Sequence, residues 1–384
     1  MGVNLRVLHI ITSLLRGGAE RMLVKLLSGL DRSRIEFRVI SLGERGPVAD
    51  DIEALGIPIE FLDLKSGIPG LGALTGLWRG ALDFKPHLIQ GWMYHANLAA
   101  SIAALPLWTR TRTIWGIRQS VSKDLSEEKP MTRRVIKICG RLSGFPSLLV
   151  YNSYAGLGAH TRHGYSTRCV RVVPNGFDVE QFHPDETVRE RFRQAWGVSQ
   201  EETVIGIVGR YHPIKDHECF LEAARLALAD GLVAKFVLSG REMDGKNVEL
   251  VGLINEKCLG DAVILTGERC DMPELIGSLD LLVSASQSEA FSNVIGEAMS
   301  CEVPCVVTDV GDSARIVGET GCVVPPGQPR VMADAWLRML DLGKAGLREM
   351  GRRARQRIIK EYSLDIMTKR YSDIYQELTA GKEI

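Results

Sequence analysis

The sequence lacks the short motifs that mark several common classes of nucleotide-binding and metal-binding protein. Its 384 residues contain neither a G-x-G-x-x-G fingerprint nor a G-x-x-x-x-G-K-[ST] loop, so a dinucleotide dehydrogenase and a P-loop nucleotidase are both disfavoured. No two cysteines have C-x-x-C spacing, and Cys301 and Cys305 have no neighbouring His or Cys to complete a metal site. We expect reduced core thiols in a reducing compartment. The eight cysteines are Cys139, Cys169, Cys219, Cys258, Cys270, Cys301, Cys305 and Cys322.

A membrane-spanning segment and a targeting signal are also missing from the sequence. The apolar stretch at residues 5–12 is too short to span a bilayer, and Arg16 soon follows it. A first buried strand fits this stretch better. Gly2 does not begin an N-myristoylation signal, because position 6 is Arg rather than Ser or Thr. We therefore expect a cytoplasmic protein, and the chain length indicates two domains.

Net charge is absent overall, but the two halves of the chain differ. Residues 1–175 hold 23 Lys and Arg against 13 Asp and Glu, whereas the remainder holds 24 against 34. A basic half suits an anionic substrate, a nucleic acid or an anionic membrane surface. The alternative is that these cations only solvate the surface. Nothing else in the sequence indicates a nucleic-acid partner.

Short apolar runs alternate with longer helical patterns along most of the chain. The runs predict strands at 6–11, 36–41, 58–62, 88–91, 111–115, 148–152 and 170–173, then at 204–208, 235–239, 262–266, 281–285, 304–308 and 321–324. A turn-rich segment at 174–184 separates the two series. Alternation of strand and helix is typical of parallel sheets with right-handed crossovers. The fold class is therefore α/β, with two Rossmann-like domains, and residues 347–378 are strongly helical.

Two carboxylates, Glu289 and Glu297, bracket the start of a predicted helix after the strand at 281–285. Ser292 or Asn293 can cap this helix, which places Glu289 in the preceding loop and Glu297 about one turn inside. The free amides of the helix start offer a site for negative charge between the two acids. This layout fits a ligand crevice at the carboxyl ends of parallel strands.

Residues that suit phosphate binding or proton transfer follow other predicted strands. Gly17 and Gly18 come after the first strand and permit close approach of the backbone to a ligand. Arg210 and Lys215 follow the first strand of the second series, and both can converge on a diphosphate. His95 and Arg118 follow two strands of the first half. Each of these could equally be structural: a tight turn, a satisfied histidine or solvated cations.

Taken together, these fragments resemble the GT-B glycosyltransferases of family 4. The resemblance rests on Gly17-Gly18-Ala19-Glu20, Pro174-Asn175-Gly176, Gly209-Arg210 with Lys215, Glu289-x₇-Glu297 with its inner residues, and Val324-Pro325-Pro326-Gly327. It covers nearly the whole chain and is more specific in the second half. It implies an N-terminal acceptor-binding domain at 1–178 and a nucleotide-sugar domain at 179–361, with the active site in the cleft between them. A final helix at 362–384 would cross back to the first domain, and hinges would lie near 174–184 and Tyr362.

The resemblance also implies a role for each residue of a donor site. Arg210 and Lys215 would hold the diphosphate and stabilise the charge that develops on it, and Gly17 and Gly18 would approach the same phosphates. Glu289 would bind hydroxyls of the donor sugar, and Glu297 the ribose hydroxyls. The remaining donor residues would be Phe291, Ser292 and Asn293 at the sugar and phosphate, and Ser239, Gly240, Arg241, Arg269 and Met272 near the base.

On the acceptor side, the resemblance implies roles for His95, Arg118 and Asn175. Many relatives place a His at the end of the strand that here ends in Arg118. Either His95 assists catalysis in its place, or Arg118 binds an anionic acceptor. We take His95 as the catalytic helper, beside Glu289, Arg210 and Lys215.

The function implied is retaining transfer of a sugar from a nucleotide-diphosphate sugar, with UDP as the expected nucleotide, to a glycan or lipid-linked acceptor. Such enzymes act in cell-surface polysaccharide or glycolipid synthesis. The resemblance implies no cofactor and no metal, because two cations and a helix N-terminus replace the metal. A nucleotide-sugar 2-epimerase of the same architecture and a non-catalytic nucleotide-sugar-binding protein stay open as alternatives.

A peripheral membrane contact is a further hypothesis. Basic residues between Arg110 and Arg141 are interleaved with Trp108, Trp115, Ile136 and Ile138. Such a segment could rest on anionic lipid at the cytoplasmic face of a membrane.

Overall fold

The chain divides into two compact units, the first built from two segments of the chain and the second from one. A computed structural model describes residues 5–64, 71–107, 111–122, 124–126, 128–199 and 201–380, without the side chains of Leu71 and Ala73. Unit 1 comprises residues 1–176 and 364–384, and unit 2 comprises residues 177–363. The last segment therefore returns to the first unit.

Unit 1 is built on a parallel sheet in the order β3-β2-β1-β4-β5-β6-β7. Its strands are β1 Leu5–Ile11, β2 Ile35–Ser41, β3 Ile59–Phe61, β4 Leu88–Trp92, β5 Arg112–Ile117, β6 Leu148–Tyr151 and β7 Val170–Val172. Its first six helices are α1 Gly18–Gly29, α2 Val48–Ala54, α3 Leu71–Phe84, α4 Tyr94–Ala104, α5 Pro130–Leu142 and α6 Tyr154–Arg162.

Helices cover both faces of this sheet because its strands are apolar on both sides, as parallel sheets require. One core joins β1, β2 and β4 to α1, α2 and the C-terminal helix through residues such as Val7, Leu23 and Tyr371. The other face packs against α3, α4 and α5 through residues such as Leu77 and Ile136.

Unit 2 has the same organisation around a sheet in the order β10-β9-β8-β11-β12-β13. Its strands are β8 Thr203–Val208, β9 Ala234–Ser239, β10 Val263–Gly267, β11 Leu281–Ser284, β12 Cys305–Thr308 and β13 Cys322–Val324. Its helices are α7 Glu186–Ala195, α8 His217–Ala229, α9 Val248–Glu256, α10 Met272–Gly277, α11 Asn293–Ser300, α12 Ser313–Val317, α13 Pro329–Leu340 and α14 Gly343–Glu361. The C-terminal helix α15, Leu364–Thr379, belongs to unit 1.

The predicted fold class and the predicted strands are confirmed, each strand within about two residues. The predicted helical stretch at 347–378 lies in two helices, α14 and α15, and the break between them falls at Tyr362 and Ser363, where the sequence places the start of the final helix. The break has a physical cause: Phe177 donates its N–H to the carbonyl of Tyr362 at 2.9 Å and forms a parallel bridge with Ser363. A backbone committed to that bridge cannot continue the helix.

Within the described ranges, no helix combines the length and apolar character needed to cross a bilayer. Two residues of the predicted lipid-contacting segment, Trp115 and Ile136, are fully buried. They face the core because Trp115 lies in β5 and Ile136 on the inner side of α5. Trp108 and Arg110 lie outside the described residues.

Candidate active site

Both sheets have a topological switch point, and most of the predicted ligand residues lie in the loops that leave it. In unit 1 the strand order reverses between β1 and β4, and in unit 2 between β8 and β11. Ligands of open α/β sheets bind outside the carboxyl ends of strands at such points. The loops and first helical turns after these four strands carry Gly17 and Gly18, His95, Arg210 and Lys215, and Glu289.

In unit 2, Lys215 and Glu289 form an ion pair, although they are distant in sequence. The Lys215 ammonium donates to Oε1 of Glu289, and the Ser286 hydroxyl donates to the same oxygen at 3.1 Å. The lysine side chain is 23% exposed and the glutamate side chain 16%. An ion pair this shielded from water holds its geometry better than one on an open surface. The phosphate-binding and sugar-binding residues expected from the sequence therefore meet in one site.

A second set of contacts, which the sequence analysis does not predict, joins the Lys215 loop to the Glu289 loop. Gln287 donates its backbone N–H to the carbonyl of Ile214 at 2.8 Å, and its side-chain amide donates to a carboxylate oxygen of Asp216. Asp216 also caps α8 by accepting the N–H of Cys219 at 3.1 Å. These bonds fix the two loops against each other and hold the Lys215–Glu289 pair. Only the helix-capping residue type of Asp216 could have been noticed in advance.

Behind this pair, the loops after β8 and β9 touch through their backbones. A side chain at Gly240 would place its Cβ 2.0 Å from the carbonyl oxygen of Gly209, so only glycine fits there. The N–H of Gly209 donates to the carbonyl of Ser239 at 2.8 Å. Ser239 is fully buried and its hydroxyl donates to the carbonyl of Gly267 at 3.3 Å. Neither the side chain nor the backbone of Ser239 is therefore exposed to a ligand.

Helix α11 begins where the sequence predicts it, and it presents its first amides after Ser292. Ser292 occupies the N-cap position, but its side chain makes no capping hydrogen bond. Phe291 is only 7% exposed. Its ring stacks on the ring of Phe177, with the centroids 6.1 Å apart. The Phe291 ring is therefore part of the core of unit 2. Glu297 lies one turn inside the helix, as expected.

The base-side residues expected from the resemblance differ in their surroundings. Arg241 is 60% exposed, and its nearest acid, Glu242, is 4.0 Å away. Arg269 pairs with Asp271 and lies over the ring of Phe192 at 5.4 Å, and the hydrogen bond to Asp271 raises the pKa of Arg269. Met272 begins α10 and packs against the core of unit 2. Of the three, Arg241 keeps the most freedom to meet a ligand.

In unit 1, Gly17 and Gly18 form the start of α1 after β1. Gly17 is the N-cap residue with an extended backbone, and its carbonyl accepts the N–H of Arg21 at 3.1 Å. A side chain at position 17 would place its Cβ 2.3 Å from a carboxylate oxygen of Glu20. Gly17 and Gly18 thus lie at the N-terminus of α1, and their contact with a phosphate stays a prediction.

The predicted acceptor-side residues Arg118 and Asn175 are in contact. The Arg118 guanidinium donates to the Asn175 side-chain oxygen at 2.8 Å and to the Tyr371 hydroxyl at 3.0 Å, and it lies 4.8 Å above the ring of Trp92. Tyr371 belongs to α15. Arg118 thus uses two of its five N–H donors within unit 1. Fewer N–H donors are left to bind an anionic acceptor.

His95 lies in the first turn of α4, directly after β4. It is half-buried, and this burial lowers the pKa of its imidazole below the usual value. The imidazole is therefore neutral at physiological pH and able to accept a proton. This state suits either a general base or an orienting hydrogen-bond partner.

A separate cleft of about 860 Å³ lies in unit 2, at the amino ends of the strands. Its lining holds more acidic than basic side chains, and Arg189, Lys344 and Arg348 are already paired there with Asp280, Glu201 and Glu186. None of the predicted donor-site residues lines it. We do not assign the donor to this cleft.

Two protein-family models match the chain, one for each half. Residues 16–181 match the family described as Glycosyltransferase Family 4, and residues 202–342 match Glycosyl transferases group 1. Between them the two models cover most of the chain. The chain belongs to the family 4, group 1 glycosyltransferases, and it is a glycosyltransferase.

Individual relatives agree with this family. EpsF of Bacillus subtilis (strain 168), which carries a glycosyltransferase name, is 27% identical over 327 residues, 79% of each chain. An Escherichia coli UDP-Gal:alpha-D-GlcNAc-diphosphoundecaprenol alpha-1,3-galactosyltransferase is 26% identical over 219 residues, 56% of this chain and 55% of its own. The second match thus spans about half of that relative.

Solved structures confirm the GT-B fold. Anabaena HepE in complex with UDP superimposes with a TM-score of 0.82 at 23% identity, covering 97% of this chain and all of the other (100%). Sucrose-phosphate synthase of Thermosynechococcus elongatus gives a TM-score of 0.79 at 17% identity, covering 98% and 100%. At these identities the likeness establishes the fold alone.

Proposed function

We propose that this glycosyltransferase transfers a sugar from a UDP-sugar to a glycan or lipid-linked acceptor with retention at the anomeric carbon. The contact that carries the proposal is the Lys215–Glu289 ion pair in the crevice of unit 2. A sugar diphosphate needs a cation at its phosphates and a hydrogen-bond acceptor at its sugar hydroxyls, one beside the other. UDP is favoured because UDP is bound in the HepE structure and named in the E. coli relative.

The proposed chemistry depends on the negative charge of the leaving diphosphate. As the glycosidic bond breaks, negative charge develops on the departing diphosphate, and Arg210 and Lys215 stabilise it. We propose that these cations, with the amides at the start of α11, make a metal ion unnecessary. His95 assists on the acceptor side, and Glu297 binds the ribose hydroxyls. Synthesis of a cell-surface polysaccharide or glycolipid is the proposed context, supported by the undecaprenol-linked substrate of the E. coli relative.

The test is donor binding. Calorimetry against UDP-, GDP- and ADP-sugars in the presence of EDTA should give selective binding of one UDP-sugar, and Glu289→Ala should weaken it by about 10-fold or more, as loss of charged hydrogen bonds does. Glu222→Ala is the matched control, because Glu222 also pairs with a lysine in unit 2, Lys257 at 3.1 Å. Binding that requires added metal would overturn metal independence. Formation of an epimer from donor alone would favour the epimerase alternative.

We also propose that helix α5 contacts an anionic membrane surface. The outer side of α5 and the following turn expose apolar side chains: Met131 is 38% exposed, Ile138 43%, Leu142 38% and Phe145 75%. Three exposed cations, Arg134, Lys137 and Arg141, alternate with them at helical spacing. An apolar stripe with cations along it is the pattern of a helix that lies in a bilayer interface with anionic headgroups.

Vesicle sedimentation checks this contact. We expect binding to phosphatidylglycerol vesicles and not to phosphatidylcholine vesicles, decreasing as salt rises. Each Lys or Arg near the surface contributes about 1 kcal/mol, so the triple Gln variant of Arg134, Lys137 and Arg141 should bind ~100-fold more weakly. Phe145→Ser should also weaken binding.

The control substitution is Val248→Ser, which removes an 84% exposed apolar side chain from unit 2. It should bind vesicles as the wild type does. Absence of binding at every salt concentration would contradict the proposed membrane contact. The donor assignment would not change, because it rests on other residues, in unit 2.

A further inference from the structure

The turn that leads from β4 into α4 is held in a strained conformation, and it carries His95. Met93, the N-cap residue of α4, has φ 71° and ψ 172°. Side chains other than glycine rarely adopt a positive φ, and this region is nearly restricted to glycine. A conformation of this kind persists only where surrounding contacts enforce it. Nothing in the residue type of Met93 predicts it.

The contacts that enforce it come from Asn97 and Gly116. The Asn97 amide donates to the carbonyl of Gly116 and accepts its N–H, both at 3.1 Å. Met93 donates its own N–H to the same carbonyl at 2.9 Å, and Asn97 donates its N–H to the carbonyl of Met93 at 2.8 Å. Asn97 is fully buried. Its side chain thus joins the first turn of α4 to the strand β5 through two hydrogen bonds.

Two glycines make room for this arrangement. A side chain at Gly91 in β4 would place its Cβ 2.6 Å from Asn97, and one at Gly116 in β5 would lie 2.9 Å from the carbonyl of Gly91. The two strands and the helix therefore approach each other around one buried amide. Such close packing leaves the turn a single geometry.

We infer that Asn97 is the positioning residue of His95. His95 lies between Met93 and Asn97 in this turn. The hydrogen bonds of the Asn97 side chain to Gly116 therefore fix the backbone position of His95. The inference rests on the proposed catalytic role of His95. A histidine that handles a proton must be held near the reacting atoms, and a displacement of about 1 Å can cost 10²-fold in rate.

The experiment compares Asn97→Ala with Ser101→Ala. Ser101 also bonds α4 to β5, through its hydroxyl and the indole N–H of Trp115 at 3.0 Å, one turn further along the helix. Asn97→Ala should lower kcat on the order of 10- to 100-fold, with the donor dissociation constant unchanged. Ser101→Ala should lose stability but keep its kcat. Equal kcat values in the two variants would overturn the inference.

A rescue keeps the test meaningful if Asn97→Ala is poorly folded. Glycine adopts a positive φ without enforcement, so in a Met93→Gly background the loss of kcat caused by Asn97→Ala should shrink several-fold. An undiminished loss of kcat in that background would contradict the role of the Asn97 amide in holding the turn.

His95→Ala separates the catalytic role of His95 from the positioning role of Asn97. If it retains wild-type activity, the proposed role of His95 fails; if it is impaired while Asn97→Ala is not, only the positioning role fails.

Discussion

Replacing Lys215 with alanine should lower kcat by about 10²- to 10³-fold while weakening donor binding much less. The reason is that charge on the diphosphate increases as the glycosidic bond breaks, so a cation there stabilises the transition state more than the bound donor. The Lys215 side chain is three-quarters shielded from water, and Ser286 would remain to bond Glu289. Steady-state kinetics together with calorimetric donor binding measure the two effects separately.

Lys257→Ala is the matched control for this variant. Lys257 pairs with Glu222 at 3.1 Å in the same unit and is 11% exposed, but it follows α9 and leads toward the amino end of β10. Its replacement should leave kcat unchanged. If Lys215→Ala loses turnover and donor affinity equally, then the ammonium binds ground state and transition state alike, and the transition-state role is wrong.

The sequence predicts the strands and the loops of the site well because both follow from local pattern. Buried parallel strands are near-continuous apolar runs, and ligand loops follow their carboxyl ends. Glu289 and Lys215 could therefore be expected in one crevice, and the structure pairs them. The bridge between Phe177 and Ser363, which separates the last two helices, was harder to predict because it joins residues far apart in the chain.

What the sequence does not predict is which partner each polar side chain selects. Arg118 follows a strand in the manner of a ligand residue, yet it bonds Tyr371, 253 positions away. The bond between Gln287 and Asp216 and the positive φ of Met93 are likewise products of tertiary packing. Residue type and spacing carry no record of these contacts, since each depends on the arrangement of elements that lie far apart in sequence.

The largest expected loss of stability follows removal of Asp280, which lies between α10 and β11 in unit 2. Its carboxylate accepts from Arg189 at 2.5 Å, from Arg193 at 3.0 Å and from the backbone N–H of Val204 at 2.8 Å. Arg193 is fully buried. Asp280→Ala would remove the carboxylate that pairs with this buried guanidinium, and breaking a buried pair in this way costs about 3–5 kcal/mol. Scanning calorimetry should show a lower Tm for Asp280→Ala.

Two further variants show whether the cost comes from the unpaired buried charge. Arg193→Met should lose less stability than Asp280→Ala, because Asp280 would keep Arg189 and the Val204 amide while an apolar side chain fills the buried space. Asp334→Ala breaks an exposed pair with Arg330 and should cost less than about 1 kcal/mol. Because Asp280 lies at the opposite end of the sheet from Glu289, Asp280→Ala should retain its kcat at low temperature. A large fall in kcat there would mean that the amino end of the sheet takes part in positioning the site, and equal Tm losses in all three variants would contradict the argument from burial.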